Sequence, residues 1–502
     1  MNLNLQKNLK IVRETLEASE RYSHACRVLG FDQQTICPSG AALEEGETIA
    51  FLSNRAFRLL KSKRFLSAAE SLYANRKALA PLDKVLSEGL HRDYMRTKNV
   101  SPAKDKKFSL VFNEAFVHWL DAKSKAKFSL FEADLEKVRR VNLEQIALME
   151  NAKPVPYDNL LDLYERGITT KDLDRCFAAC RERLVPMLKK IQKSKKKIRT
   201  DFLSRPVSDE SQRKMAKYLL EVIGFDFSRG AFSTSEHPFT DGLAKDDARV
   251  TTHFYPNIFY SNMFSIIHEG GHALFEQNQP AEDFEAHITN FKTLGQHESV
   301  SRFYENRIGR SRAFIHLIFK KSKELFPAVF EGVSEREFYE AMNIVAPSLI
   351  RTEADEFTYT FHVIIRYEIE KMLVNEKIAL HDLPKIWGDK YEEYLGIRPS
   401  NDAEGVLQDV HWASGFGYFP TYALGNMYGA MYYNRMQSEL DIESAVSHGD
   451  FAQINDWMKR NVWKDANRLD AKSWIRKITG RNFTESDFLD YLEKKYGAIY
   501  GV

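Results

Sequence analysis

Apolar residues recur at spacings of three and four along almost the whole 502-residue chain, and that periodicity most narrows the folds open to it. Stretches such as FLSNRAFRLLKSKRFLSAAESLY and FNEAFVHWLDAKSKAKFSLFEADLEKVRRV each present one apolar stripe and one charged face, the pattern of an amphipathic helix. Alternating β-branched runs are scarce. DARVTTHFY, at 247–255, is the one strand candidate and is expected at a sheet edge. The Gly-, Ser- and Thr-containing stretch 225–247 before it has no periodicity and reads as loop. Ser208 followed by two acids is an N-cap start for QRKMAKYLLEVI, and Gly224 is its C-cap. No repeat, low-complexity tract or Pro-rich linker divides the chain. The expectation is an all-α protein with minor β. Residues 1–502 form a single domain, a large helical body with two lobes around a deep cleft.

Composition excludes several classes of function. Lys and Arg number 72 against 70 Asp and Glu, so no basic surface favours nucleic acid. The basic run Lys189–Arg199 reads as a solvated face. No apolar run approaches the ~18 residues that span a bilayer, and the polar amphipathic N-terminus lacks the apolar core of a signal peptide. No membrane association and a cytoplasmic location are expected. Four cysteines cannot build a disulfide scaffold, and Cys176 and Cys180, four apart in a helical pattern, read as small core residues.

The chemistry-bearing stretch is SIIHEGGHALF at 265–275. On a helix, His268 and His272 lie one turn apart on one face and can bind one Zn²⁺ through imidazole nitrogen. Glu269 beside them is placed to act as general base toward a metal-activated water. Gly270 and Gly271 each cost a helix about 1 kcal/mol against Ala, which points to a close approach by substrate or a neighbouring backbone. A catalytic zinc needs a third protein ligand. The metzincin extension fails, because positions 275 and 278 hold Phe275 and Asn278. The helical segment 295–309 offers Glu298, with Glu305 and His297 as competitors, and spacing alone does not choose between the two glutamates.

Six further segments carry a resemblance. FDQQTICPSGA (31–41), His237-Pro238-Phe239, DARVT (247–251), His297-Glu298-Ser299, IRTEAD (350–355) and GVLQDVHW (405–412) stand in order around the HExxH. Together they resemble the thermostable carboxypeptidase Taq family of metallocarboxypeptidases, along most of the chain. The resemblance implies an all-α fold of the neurolysin and angiotensin-converting-enzyme type. It implies a zinc or cobalt enzyme with His268, His272 and Glu298 as ligands, and a homodimer that removes single C-terminal residues from peptides with broad specificity. This chain departs from the family pattern at Phe31 (for Trp), Val300 and His253, none of them a ligand or the base.

The other candidates follow from chemistry. An exopeptidase must hold a free carboxylate, and a guanidinium fork does this. Arg351 and Arg249 are the candidates, with an ion pair to Asp246 or Asp247 as the alternative employment of Arg249. His237 is expected to line the cleft or order its loop. His411 is placed to hydrogen-bond a substrate carbonyl, and Asp409 to orient a ligand histidine. Tyr422, ahead of Tyr418, is the candidate oxyanion donor. Two other functions remain as alternatives, an internally cutting oligopeptidase with the same metal chemistry and an inactive peptide-binding protein of the same fold.

Overall fold

The computed structural model describes residues 3–375 and 378–502. Its elements are helices with a single three-stranded sheet among the described residues, so the all-α expectation with minor β holds. The chain opens with a 33-residue helix, Leu3–Thr35, and the first two residues of the expected N-terminal helix lie outside the described residues. Ser208 caps the helix Asp209–Ile223 by accepting from the Ser211 amide at 3.2 Å, and Gly224 ends it with φ +94°, the left-handed conformation in which glycine is unstrained. Cys176 and Cys180 are fully buried on the helix Thr170–Lys193. No helix among the described residues is long and apolar enough to cross a membrane.

Buried apolar side chains form two clusters. The larger runs from Ala115 to Tyr500. The smaller joins Leu5, Leu9 and Val12 of the first helix to Phe65, Leu72, Leu86 and Ile288.

The sheet differs from its expected form. Strand β1 (Gly230–Thr234) and strand β2 (Thr240–Ala244) both lie inside the stretch read as loop. Strand β3 (Asp247–Thr252) is the expected strand, but it is central rather than an edge, with order β1-β3-β2. It pairs parallel with β1 and antiparallel with β2, placing Arg249 between Ala231 and Asp241. The two outer strands are five residues each and rich in Gly, Ser and Thr. They carry almost no local signal, and their order comes from hydrogen bonds to β3, whose buried Ala248 and Val250 face the core.

A buried acid inside the helical core predicts a pH dependence. Glu370 accepts from the Tyr157 hydroxyl at 2.6 Å and the Gly417 amide at 2.9 Å. Burial outweighs these two donors and pushes its pKa from 4.5 up to about 8. A raised folded-state pKa means that the folded chain binds more protons than the unfolded one across that interval. Its contribution to stability is therefore complete below the unfolded value and is lost as pH rises through about 8. The stability of the wild type relative to Glu370→Gln is expected to fall steadily across this window in denaturant titrations. A pH-independent difference would contradict the assignment.

Candidate metal centre

The motif helix, Phe259–Gln277, is buried on nearly every side. Both of its internal glycines are explained by packing. A Cβ on Gly271 would stand 2.7 Å from Ser301 Cα, and one on Gly270 2.5 Å from Ile223 Cδ1. Of the two expected causes, close approach of a neighbouring backbone is therefore the one seen at Gly271, and a side chain of the helix Asp209–Ile223 fills the space at Gly270. The contact at Gly271 presses the motif helix onto the helix Leu294–Arg302, which carries Glu298. From the other side Gly425, on the helix Pro420–Gln437, lets that helix reach Glu298, where a Cβ would stand 2.7 Å from Cγ.

These close approaches bring three donors together. Glu298 Oε2 lies 3.8 Å from His268 Nε2 and 3.4 Å from His272 Nε2, and all three atoms fall within 4.8 Å of one another. Two donors at 2.0–2.2 Å from a tetrahedral ion sit about 3.4 Å apart, so the cluster has the span of a zinc-type site. Glu305 Oε2 accepts from His268 Nδ1 at 2.8 Å, which fixes the tautomer and leaves Nε2 with a free lone pair facing Glu298. Two half-buried imidazoles whose Nε2 atoms converge on a buried carboxylate are the donor set a cation completes, and the residues fit a divalent metal. His272 Nδ1 is buried without a hydrogen-bond partner, and its ring stacks on His297 at 4.4 Å and 14°. Of the competitors for the third position, Glu305 backs His268, and His297 donates to Glu276 at 2.8 Å. Neither belongs to the three-donor cluster.

Arg302, which carried no sequence expectation, organises the acids. Its Nε donates to Glu298 Oε1 at 2.7 Å and its Nη1 to Glu305 Oε2 at 3.0 Å. Burial disfavours the charge on Glu298, yet Arg302, His268 and His272 hold it well below the usual carboxylate range. Burial likewise works against Glu305, and Arg302 and His268 bring it down to about 2. Burial also disfavours the His268 cation, but Glu298 and Glu305 outweigh it and raise its pKa. The signals that could have found Arg302 are its i, i+4 spacing from Glu298 and i, i+3 spacing to Glu305.

Glu269 is also buried. Its Oε2 accepts from Thr240 Oγ1 at 2.7 Å, and the same hydroxyl lies 2.9 Å from the Glu269 carbonyl. Thr240 opens β2 directly after His237-Pro238-Phe239, so the small sheet fastens the carboxylate and leaves Oε1 uncommitted. His237 itself is exposed at the loop and is not part of the metal cluster found among the described residues. Phe31 packs edge-on against Phe239 at 5.6 Å and lies under Arg249, so the first three short motifs meet at Phe31.

The two candidate arginines have different surroundings. Arg249 is engaged by Asp247 in two bonds of 2.9 Å, the pairing foreseen as its alternative employment. Arg351 is buried at the start of IRTEAD. It donates through Nε to Asp409 at 3.0 Å and through Nη1 to the Tyr359 hydroxyl at 3.2 Å. Asp409 accepts from Arg366 as well, at 2.6 Å. Asp409 therefore anchors two arginines, and the carboxylate that orients a ligand histidine is Glu305. Two guanidiniums against one carboxylate leave a net positive charge in this wall. His411 sits beside it with its ring 5.2 Å from Tyr418. Burial takes His411 down to about 4. Tyr422 lies under Arg351 at 5.0 Å and edge-on to Tyr418 at 5.2 Å and to Tyr359 at 6.3 Å. Arg302 covers the Tyr359 ring at 4.4 Å, so this row of tyrosines connects Arg351 to the metal cluster.

The chain is similar to known metallopeptidases over nearly its whole length. The model of the Carboxypeptidase Taq (M32) metallopeptidase family matches residues 11–496. Carboxypeptidase 1 of Bacillus subtilis is 37% identical over 489 residues, covering 97% of each chain. Thermostable carboxypeptidase 1 of Thermus thermophilus is 34% identical, covering 94% of each. Among solved structures, the M32 carboxypeptidase of Deinococcus radiodurans superposes with a TM-score of 0.95 at 30% identity, over 99% of this chain and all of that one.

Proposed function

The chain belongs to the carboxypeptidase Taq (M32) metallopeptidase family and is a metal-dependent carboxypeptidase, and from that premise we propose that His268, His272 and Glu298 hold its divalent ion, zinc or cobalt, and that the enzyme releases single residues from free peptide C-termini with broad specificity. The observation that carries the reading is the convergence of the two Nε2 atoms and Glu298 Oε2, with Glu305 fixing the His268 tautomer.

When bound, the ion supplies positive charge that polarises the scissile carbonyl and lowers the pKa of a water. The remaining steps belong to this chain's own side chains. Glu269, held through Oε2 by Thr240, takes the proton from the attacking water at Oε1 and delivers it to the leaving amine. Tyr422, with Tyr418 second, donates to the oxygen on which negative charge develops. Arg351 holds the terminal carboxylate of the peptide, because its wall carries an excess of positive charge and the row of tyrosines joins it to the metal cluster. Arg249 takes part only by releasing Asp247. His411 hydrogen-bonds a substrate carbonyl, and His237 borders the entrance. The chain acts as one domain, as a homodimer in the cytoplasm.

The test is a panel of peptides blocked at either end, with and without a chelator. Free-acid peptides are expected to lose one residue at a time. Amidated ones are expected to be cut at least tenfold more slowly, because an amide brings no negative charge to the positively charged wall at Arg351 and loses the charge-assisted hydrogen bond. Chelation abolishes both reactions, and added metal restores them. Equal rates on acid and amide would favour internal cutting.

A further inference from the structure

Resting on the exopeptidase reading above, we propose that a cavity walled by Arg92, Arg96, Arg166, Tyr164, Phe291 and Lys292 is a substrate subsite that takes an acidic side chain on the amino side of the scissile bond. The cavity is about 190 Å³. Small-molecule sites begin at about 300 Å³, so it has room for a side chain rather than a whole ligand. A second cavity of about 420 Å³ shares Arg92, Arg96 and Asp162 with it.

The charge in this wall is unbalanced. The acids that line it, Asp93 and Asp162, are occupied. Arg96 lies 3.5 Å from Asp93 and 2.8 Å from Asp162, and Lys153 is 2.6 Å from Asp162. Lys292 is 3.2 Å from Glu276. Arg92 and Arg166 are left with no hydrogen bond or ion pair to their guanidiniums among the described residues. Arg92 only covers the Phe291 ring at 5.7 Å. Partial burial, Arg166 and Arg96 pull the Arg92 pKa down to about 10 against the opposing pull of Asp93 and Asp162, so it remains charged at neutral pH; Arg166 likewise feels Asp470 and Asp162 without an ion pair to either. A carboxylate entering between the two arginines satisfies two vacant forks and relieves their repulsion.

The placement identifies the occupant. Tyr164 in the cavity wall meets Tyr418 edge-on at 5.4 Å, and Tyr418 meets Tyr422. Lys292 leads to Glu276, then to His297, whose ring stacks on His272. Arg351 meets the metal cluster through Tyr359, Arg302 and Glu298 instead. The cavity wall and Arg351 thus share the row of tyrosines through Tyr418 and Tyr422, while Lys292 and Tyr359 lead to the ligands through different residues. A peptide whose terminal carboxylate rests on Arg351 runs past the ligands and leads its upstream residues toward Arg92 and Arg166.

The test uses the metal-loaded enzyme and N-acylated peptides with one common C-terminal residue. Each of the three preceding positions is varied in turn among Glu, Gln and Lys. kcat/KM is measured for the wild type, Arg92→Gln, Arg166→Gln, the double variant and Arg92→Lys. At one upstream position the wild type is expected to prefer Glu over Gln by about tenfold or more, with Lys poorest. In the double variant that ratio falls to about one, and Arg92→Lys keeps part of it. Because the ratio is taken within each variant, a general loss of activity does not disturb it. A wild-type ratio near one at every position, or an unchanged ratio in the double variant, overturns the subsite while leaving the exopeptidase reading intact. Failure of the wild type to release any terminal residue overturns that reading and the subsite with it.

Discussion

Glu269→Gln is expected to keep its metal and its fold while turnover falls by about 10²–10⁴. The residue neighbours a ligand without being one. Its Oε2 is committed to Thr240, and its Oε1 has no hydrogen bond among the described residues. An amide in its place keeps the size and can still bond Thr240, but it cannot take a proton. The loss therefore falls on kcat, with metal content unchanged. Loss of metal in this variant would make Glu269 a ligand, and near-normal turnover would deny it the role of base.

His268→Ala and His272→Ala are each expected to abolish bound metal and activity together. Removing either imidazole leaves two donors where a stable site needs three. It also takes away one of the three groups, Arg302, His268 and His272, that offset the burial of the Glu298 charge. The readout is metal per chain after exhaustive dialysis, with circular dichroism to show that the helices persist. Stoichiometric metal in either variant would refute the assignment.

Much of this site is local in the chain and legible there. Two histidines one turn apart and a glutamate beside the first are periodic features, and His268 and His272 meet as their spacing implies, with Glu298 joining them as the family resemblance, not the spacing, implies. The all-α class was likewise visible in the apolar period. Features made by contacts distant in sequence were hidden. Asp409 reaches Arg351 across 58 residues and Arg366 across 43, and nothing in the spacing favours those partners over a ligand histidine. Thr240 reaches Glu269 across 29 residues from a strand with too little apolar pattern to be recognised as one. β3 was expected at an edge because its two neighbours, short and rich in small polar residues, looked like loop. Arg302 and Glu305 were within reach, since their spacing from Glu298 places all three along one helical face, but the division of labour between the two glutamates depends on which of them meets His268 Nδ1 and which its Nε2.

That division is the centre of the account, and metal content separates its two versions most directly. Metal per chain and metal affinity are measured for the wild type, Glu298→Gln and Glu305→Gln under the same dialysis. The account predicts about one ion per chain in the wild type and nearly none in Glu298→Gln. Glu305→Gln should still bind metal, with affinity lower by about 10–100-fold, the usual cost of losing a carboxylate behind a ligand histidine. A Glu298→Gln enzyme that holds its metal while Glu305→Gln loses it would contradict the assignment.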